Sequence, residues 1–269
     1  MASSRTRQRK LARERYERKL VRLAQQQRRR RQINAGIGAF VALVLIVVGS
    51  LWLAGVFDKK PEPAEFTQPD LCTWLPRGGD DPNRVDVGTP PANPPTSGQQ
   101  RITIELDAGD TAAGTVEVLM DVSEDPCGAA SLAHLAEQGF YDGTTCHELA
   151  DGALRCGDPS GTGLGGPTYA FWADNIPVPG LDDQDGPLYP AGTVAFGDAA
   201  GENGSQFLIF YEDYDPEAPV FPIIGTVTSG LDVVEAIGAA GTAEDSTAPA
   251  ADVKLTSLTV SDASQPSTR

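Results

Sequence analysis

A glycine-rich run at residues 161–166, GTGLGG, is the pattern that first suggests chemistry, because it satisfies the dinucleotide-binding motif G-x-G-x-x-G. That motif binds a pyrophosphate only where it connects a strand to the first turn of a helix. Here Pro167 follows at once, and residues 167–171 carry no helix signal. We therefore reject a nucleotide site.

Two other patterns are also weak. Residues 182–186, DDQDG, are acidic enough to suggest calcium, but they lack the spacing and the terminal Glu of an EF-hand loop, so we interpret them as a solvated turn. Ser205 lacks the flanking glycines of a nucleophile elbow, and no histidine is placed by the sequence to act as its base.

The elements that must position any site are mostly short strands. Alternating apolar residues at 102–106 and 116–120 predict a hairpin. Asp125 and Pro126 predict the start of a helix that ends at Gly139. A second helix is predicted at 231–237, and further strands at 145–149, 153–156, 193–196, 206–210, 221–227 and 253–260. Many short strands with two helices indicate a closed β-barrel.

Charge divides the chain sharply. Residues 1–32 contain 13 Lys or Arg against two Glu, a net of +11, so residues 33–269 carry −27 and the total is −16. Residues 33–57 contain no charge and are long enough to cross about 30 Å of hydrocarbon, which predicts a transmembrane helix. The alternative is a cleaved signal peptide, but the small-x-small cleavage site is missing. The basic flank predicts a cytoplasmic N-terminus and an extracytoplasmic C-terminal domain.

The flanking segments have simple compositions. We expect the basic arm, residues 1–32, to lie near anionic lipid headgroups rather than on nucleic acid, because no aromatic platform accompanies the charge. Residues 58–100 are rich in Pro, Gly and Asp, which predicts a semi-rigid, largely unfolded stalk, with Cys72 and Trp74 as a local docking point. Residues 263–269 are predicted to be a disordered tail.

Four cysteines lie beyond the apolar segment, namely Cys72, Cys127, Cys146 and Cys156. An even number in an oxidising compartment suggests two disulfides, although unpaired structural thiols are the alternative. Zinc is disfavoured because there is no C-x-x-C pair and the chain has only two histidines. We predict no metal.

Five segments of the chain together form a recognisable pattern. GFYDGTTCH, GDPSGTGLGGP, GTVA and NGSQFLI lie at 139–147, 157–167, 192–195 and 203–209, and FPIIGTVTSGLDVV lies at 221–234. In content and order these segments resemble the cyclophilin family, and the resemblance covers residues 101–262. It implies a mainly β domain, an eight-stranded antiparallel closed barrel capped by two α-helices, and peptidyl-prolyl cis-trans isomerase activity on proline-containing polypeptides. We expect a monomer that needs no cofactor.

The reaction that this resemblance implies has clear physical demands. The amide is conjugated, so the X–Pro bond isomerises over a barrier of about 18–20 kcal/mol. A catalyst must hold the proline in an apolar pocket and favour the twisted bond, for instance with a donor aimed at the prolyl nitrogen.

The resemblance carries over to the site unevenly. Gln206 stands at the family's pocket glutamine, Leu208 at a pocket phenylalanine, and Phe196 in a substrate-contacting stretch; for Leu208 and Phe196 plain barrel core is the alternative. Tyr214 and Phe221 are the only candidates for the family's tryptophan and histidine. The pocket phenylalanine and methionine are replaced by Gly152 and Ala153.

The largest departure is at the family's catalytic arginine, where this chain has Glu148. A carboxylate accepts hydrogen bonds and cannot donate them, so we expect reduced activity. Arg155, close to the family's second glutamine, is the other cation available. If Cys146 and Cys156 face each other, strict alternation places Glu148 on their side of the sheet and Arg155 on the other, and only a bulge brings both into the pocket.

The cysteines also resemble those of membrane-anchored actinobacterial cyclophilins. That likeness implies a Cys146–Cys156 disulfide and, with it, a Cys72–Cys127 disulfide that fastens the stalk. Two functions remain open for the domain: an anchored foldase for exported chains, weakened at Glu148, or a binding module that has lost turnover. The acidic balance predicts neutral or basic partners for either.

Overall fold

The computed structural model describes residues 43–50, 69–173, 175–180, 186–198 and 202–263. The chain divides into two compact units, residues 1–68 and 69–269. In the first unit, residues 43–50 form an exposed helix, α1. Within the described ranges no helix is both long enough and apolar enough to span a membrane.

Several predicted segments lie outside the described residues. They are the basic arm at 1–32, most of the predicted span at 33–57, the start of the predicted stalk at 58–68, the acidic turn at 182–186 except its last residue, and the tail from 264 onward.

The second unit is built on one antiparallel sheet. Its strands are β3 (Gln99–Asp107), β4 (Ala113–Asp121), β5 (Thr144–Cys146), β6 (Glu148–Ala150), β7 (Ala153–Cys156), β10 (Thr193–Phe196), β11 (Phe207–Phe210), β12 (Ile223–Ser229) and β13 (Val253–Asp262). The strand order is β5-β13-β3-β4-β12-β10-β11-β7-β6. Four two-residue strands, β1 (Leu75–Pro76), β2 (Arg84–Val85), β8 (Gly166–Pro167) and β9 (Tyr169–Ala170), form two separate pairs, β1 with β9 and β2 with β8.

The sheet is nearly closed because its two end strands are consecutive in the chain. Only His147 separates β5 from β6, and these strands pair with β13 and β7 respectively. We predicted a closed barrel of eight strands, whereas the sheet has nine. The difference arises at His147, where the strand predicted at 145–149 is interrupted and changes its pairing partner.

Two helices pack on the sheet, as predicted. In α2 (Pro126–Glu137) the Asp125 side chain caps the first turn by accepting from Gly128 N, and Leu132 and Leu135 are buried. In α3 (Leu231–Ala240) Val234 and Ile237 are buried. Alternate side chains of the long strands face the same interior, including Ile102, Ile104, Val116 and Val118, which are at most 2% exposed. Burial of these apolar side chains stabilises the barrel.

Residues 69–98, which we call the strap, are ordered against the barrel. A disulfide joins Cys72 to Cys127 at the start of α2. The Trp74 ring packs edge-on against Tyr169 and Phe171 at centroid distances of 5.4 and 5.7 Å. This part of the predicted stalk is therefore not unfolded, because a disulfide, an aromatic anchor and two short strand pairs fix it.

Candidate active site

Four side chains form a row across the outer face of the barrel. In the strand register Ala195 pairs with Leu208, Leu208 with Arg155, and Arg155 with Glu148, across β10, β11, β7 and β6. Cross-strand partners project to the same side of a sheet. An apolar side chain therefore lies directly beside a guanidinium, which in turn lies beside a carboxylate.

Glu148 and Arg155 form an ion pair, with 3.0 Å between Oε2 and Nε, and their side chains are 28% and 24% exposed. Our expectation that they lie on opposite faces is wrong. Cys146 and Cys156 are joined by a disulfide, yet the β6–β7 register pairs Glu148 with Arg155. His147 is the extra residue of a bulge between these two pairs. It shifts the register by one residue, so strict alternation from the disulfide to Glu148 does not apply.

An aromatic cluster adjoins Leu208 on the same face. Its buried members are Ala153, Tyr189, Ala195, Leu208 and Phe210, and Leu188, Tyr214, Phe221 and Ile223 pack against them half-buried. The Phe210 ring stacks on Tyr189 and Tyr214 with centroids 5.0 and 5.6 Å apart. The Tyr189 hydroxyl donates to Phe221 O and accepts from Phe221 N, both at 3.0 Å. The half-buried members of this cluster are therefore its apolar side chains at the outer surface, and they pack over the buried ones.

Gln206 lies at the edge of the row and is 2% exposed. Its Nε2 donates to Gly163 O at 3.0 Å and to Gly165 O at 3.2 Å. Its Oε1 is buried and has no hydrogen-bonding partner among the residues that the structure describes. Gln206 therefore holds the glycine-rich loop while keeping one acceptor unused.

Asp158 fixes the conformation of the same glycine-rich loop through hydrogen bonds. Its carboxylate accepts Ser160 N and Oγ, both at 2.7 Å, and also Gly163 N. Burial alone would raise the pKa of the Asp158 carboxyl, but these hydrogen bonds outweigh burial and lower its pKa. The glycine-rich run is thus a loop fixed by a carboxylate rather than a nucleotide-binding turn.

His147, at the break between β5 and β6, is largely withdrawn from solvent. Burial lowers the pKa of its imidazole, opposed by the charge of Asp158. Neither ring nitrogen has a hydrogen-bonding partner in the described part of the chain. The histidine is therefore neutral near pH 7.

The structure brings together most of the predicted site residues. Leu208, Arg155 and Glu148 are neighbours, and Tyr214 and Phe221 join the aromatic cluster beside them. Phe196 is different, because it belongs to the barrel core and contacts the Phe171 ring at 5.2 Å. Its strand neighbour Ala195 faces outward instead, so Phe196 takes the core role that was the alternative interpretation.

Sequence reasoning missed two of the aromatic members of the cluster, Phe210 and Tyr189. Phe210 lies two residues after Leu208 on β11, so strand alternation was a signal that could have found it. Tyr189 comes from a loop, and its sequence neighbourhood gave no signal. No group of three or more potential metal ligands occurs in the described ranges.

Chemically, the arrangement can hold an apolar ring against Leu208 and the aromatic cluster while a guanidinium donates from Arg155. Glu148 can accept and orient but cannot donate. The fold is a mainly β barrel, and the row of candidate site residues lies on the outside of its sheet. The chain belongs to the cyclophilin-type peptidyl-prolyl cis-trans isomerase family, whose model matches residues 101–260.

Named relatives agree with this assignment. The chain is 37% identical over 162 residues to the "Probable peptidyl-prolyl cis-trans isomerase B" of Mycobacterium tuberculosis, covering 55% of this chain and 52% of that protein. It is 34% identical over 193 residues to the Mycobacterium leprae protein of the same name, covering 66% and 64%. The chain therefore spans about half to two thirds of the length of these relatives.

A solved structure agrees in fold. The Cryptosporidium parvum cyclophilin type peptidyl-prolyl cis-trans isomerase superposes with a TM-score of 0.51 at 21% identity, covering 62% of this chain and 99% of that one.

Proposed function

We propose that this protein is a peptidyl-prolyl cis-trans isomerase acting on X–Pro bonds of proline-containing polypeptides. The observation that carries the proposal is the strand register that sets Leu208 beside Arg155 on the outer face. The reaction requires an apolar contact for the proline ring and a hydrogen-bond donor close to it. Here the two candidates lie one cross-strand spacing apart. Family membership supports the same activity.

In this proposal the chemistry rests on Arg155. As the X–Pro amide twists, its nitrogen loses conjugation and becomes a better acceptor, so a guanidinium held there binds the transition state more tightly than the ground state. Glu148 positions that guanidinium but also competes for its donors, because the two groups are 3.0 Å apart. We therefore propose an isomerase of reduced activity compared with family members that have arginine at position 148.

Exchange NMR on acyl-X-Pro peptides, with the full chain in mild detergent, tests this. Arg155→Gln should reduce the catalysed exchange rate about a hundredfold, the usual effect of losing one positioned donor. Glu148→Gln and Glu148→Arg should each raise it. Glu235→Gln, an exposed acid on α3, is the matched control and should change nothing. Exchange that is unaffected by Arg155→Gln overturns Arg155 as the donor.

A second function is favoured by one observation, the ion pair between the Arg155 guanidinium and the Glu148 carboxylate. With the charge of Arg155 paired in this way, the face could bind proline-containing peptides or an envelope protein without turning them over. Peptide resonances that shift on titration while cis–trans exchange stays at the uncatalysed rate would identify this binding module.

We further propose that the protein is anchored in the cell membrane by residues 33–57, with residues 1–32 cytoplasmic against anionic headgroups and the barrel outside. The uncharged length of the segment and its basic flank support this. The protein should resist extraction by alkaline carbonate, and protease added to intact cells should remove the barrel. Release by carbonate contradicts the anchor.

A further inference from the structure

The basic side chains of the second unit are few and unevenly placed. Five occur between residues 69 and 262, namely Arg77, Arg84, Arg101, Arg155 and Lys254. Three of them, Arg155, Arg84 and Arg77, act through their charge to lower the pKa of the half-buried Asp198 carboxyl, which burial raises. Two of the three come from the strap. The strap therefore contributes positive charge that acts on Asp198.

Arg84 is held in place by strand pairing. β2 runs parallel to β8, with Arg84 opposite Gly166, and Arg84 Nη1 donates to Pro167 O at 3.3 Å. A β-carbon on Gly166 would lie 2.9 Å from that nitrogen. Because Gly166 has no side chain, the guanidinium can lie directly over the β8 backbone.

The Arg84 guanidinium lies close to the residues that contact Gln206. Gly165, next to Gly166 in the chain, accepts from Gln206 Nε2 at 3.2 Å. The Ser205 hydroxyl oxygen is 3.6 Å from the point where a Gly166 β-carbon would stand. The Arg84 head group therefore lies beside the end of the glycine-rich loop that Gln206 holds.

Of the three guanidinium groups, Arg84 is the one with donors to spare. Arg155 is paired with Glu148, and Arg77 is paired with Glu202. Arg84 makes no ion pair within 4 Å in the part of the chain that the structure describes, and it is half-buried. A guanidinium has five N–H donors in a planar fork that matches a carboxylate.

We propose that Arg84 is a specificity-determining residue that binds the side-chain carboxylate of an Asp or Glu flanking the proline of the substrate polypeptide. The inference rests on the proposed function, since it takes the outer face to bind proline-containing chains. Part of the peptide site thus comes from the strap, outside the barrel itself.

The test uses peptides that are acetylated and amidated, so that side chains are their only carboxylates. Glu and Gln are compared at each position within three residues of the proline, with exchange NMR for turnover and chemical-shift titration for Kd. Wild type should favour Glu about five- to tenfold at one position, in the range of a charge-assisted contact. Arg84→Gln should remove the preference for Glu, giving a ratio of one or below, and Arg84→Lys should retain part of the preference because the charge remains. Arg101→Gln, on β3, should leave it unchanged.

The ratio of Glu to Gln peptides distinguishes carboxylate recognition by Arg84 from a purely structural role of Arg84. If Arg84 serves only to hold β8, its substitution will alter Glu and Gln peptides equally, and the proposal is wrong. A Glu to Gln ratio of one in wild type at every position also overturns it, while leaving the isomerase proposal intact. Conversely, absent turnover with a Glu preference in Kd that depends on Arg84 supports the recognition site and rejects the isomerase.

Discussion

At the scale of the residue, Asp158 is the charged group whose state matters most for the fold. Its carboxylate is fully buried and accepts from Ser160 and Gly163, so it anchors the loop that Gln206 also holds. A buried, hydrogen-bonded carboxylate stabilises the folded state only while it is ionised.

Asp158→Asn should therefore destabilise the protein by about 1.5–3 kcal/mol at pH 7, the usual size for hydrogen bonds to a charged group. The folded-state pKa is lowered below the ordinary value of an aspartate, so this stability is present above the unfolded-state pKa and is lost as pH falls through the folded value. Chemical denaturation from pH 7 down to pH 2 should show the wild-type and variant curves converging. A difference that is independent of pH contradicts the assignment.

Tyr189 offers a second test at this scale. Its ring is fully buried and its hydroxyl satisfies both Phe221 N and Phe221 O. Tyr189→Phe keeps the stacking but leaves two backbone groups without their partner, so the free energy of unfolding should drop by about 1–3 kcal/mol. Tyr211→Phe is the matched control, because Tyr211 has no hydroxyl bond among the described contacts, and it should cost little. Equal losses would mean that the Tyr189 hydroxyl bonds to solvent instead.

At the scale of the element, the two disulfides make unequal contributions. Cys72 and Cys127 are 55 residues apart, whereas Cys146 and Cys156 are 10 apart. On the chain-entropy model the longer loop is worth about 4 kcal/mol and the shorter about 3 kcal/mol. The longer one also attaches the strap that carries Trp74 and Arg84.

Replacing both Cys72 and Cys127 with Ser should lower the melting temperature more than replacing both Cys146 and Cys156. It should also weaken the Glu preference assigned to Arg84, because the strap loses its covalent attachment. Differential scanning calorimetry and the Glu/Gln peptide pairs measure the two effects. A Cys72/Cys127 variant with normal peptide preference would show that Trp74 and strand pairing alone position the strap.

The elements also show what a sequence can and cannot specify. The hairpin at 102–120 and both helices followed from apolar periodicity and from capping at Asp125, since those signals are local. The two-residue strands of the strap have no period to read. The register that pairs Glu148 with Arg155 follows from the two-residue turn at Asp151 and Gly152, where both residues have positive φ. The interruption at His147, which allows Cys146 and Cys156 to be joined as well, has no such local signal in the sequence.

At the scale of the whole molecule, charge acts over a longer range than any contact at the site. Residues 33–269 carry a net charge of −27, so the field around the second unit attracts basic polypeptides and repels acidic ones. Arg84 has the opposite local preference. The two effects differ in their response to salt, because at 0.1 M exposed charges more than about 10 Å apart are largely screened from one another, whereas half-buried pairs are screened less.

Raising the ionic strength should therefore distinguish the long-range field of the acidic unit from the local contact at Arg84. From about 10 mM to 150 mM salt, kcat/KM for a lysine-rich proline peptide should fall several-fold as the attractive field is screened. Over the same range the Glu to Gln ratio at the Arg84-dependent position should rise, because long-range repulsion of Glu fades faster than its direct contact with the guanidinium. In Arg84→Gln the ratio should start below one and rise only towards one. A wild-type ratio that falls with salt would show that exposed charge, rather than a bound carboxylate, controls recognition.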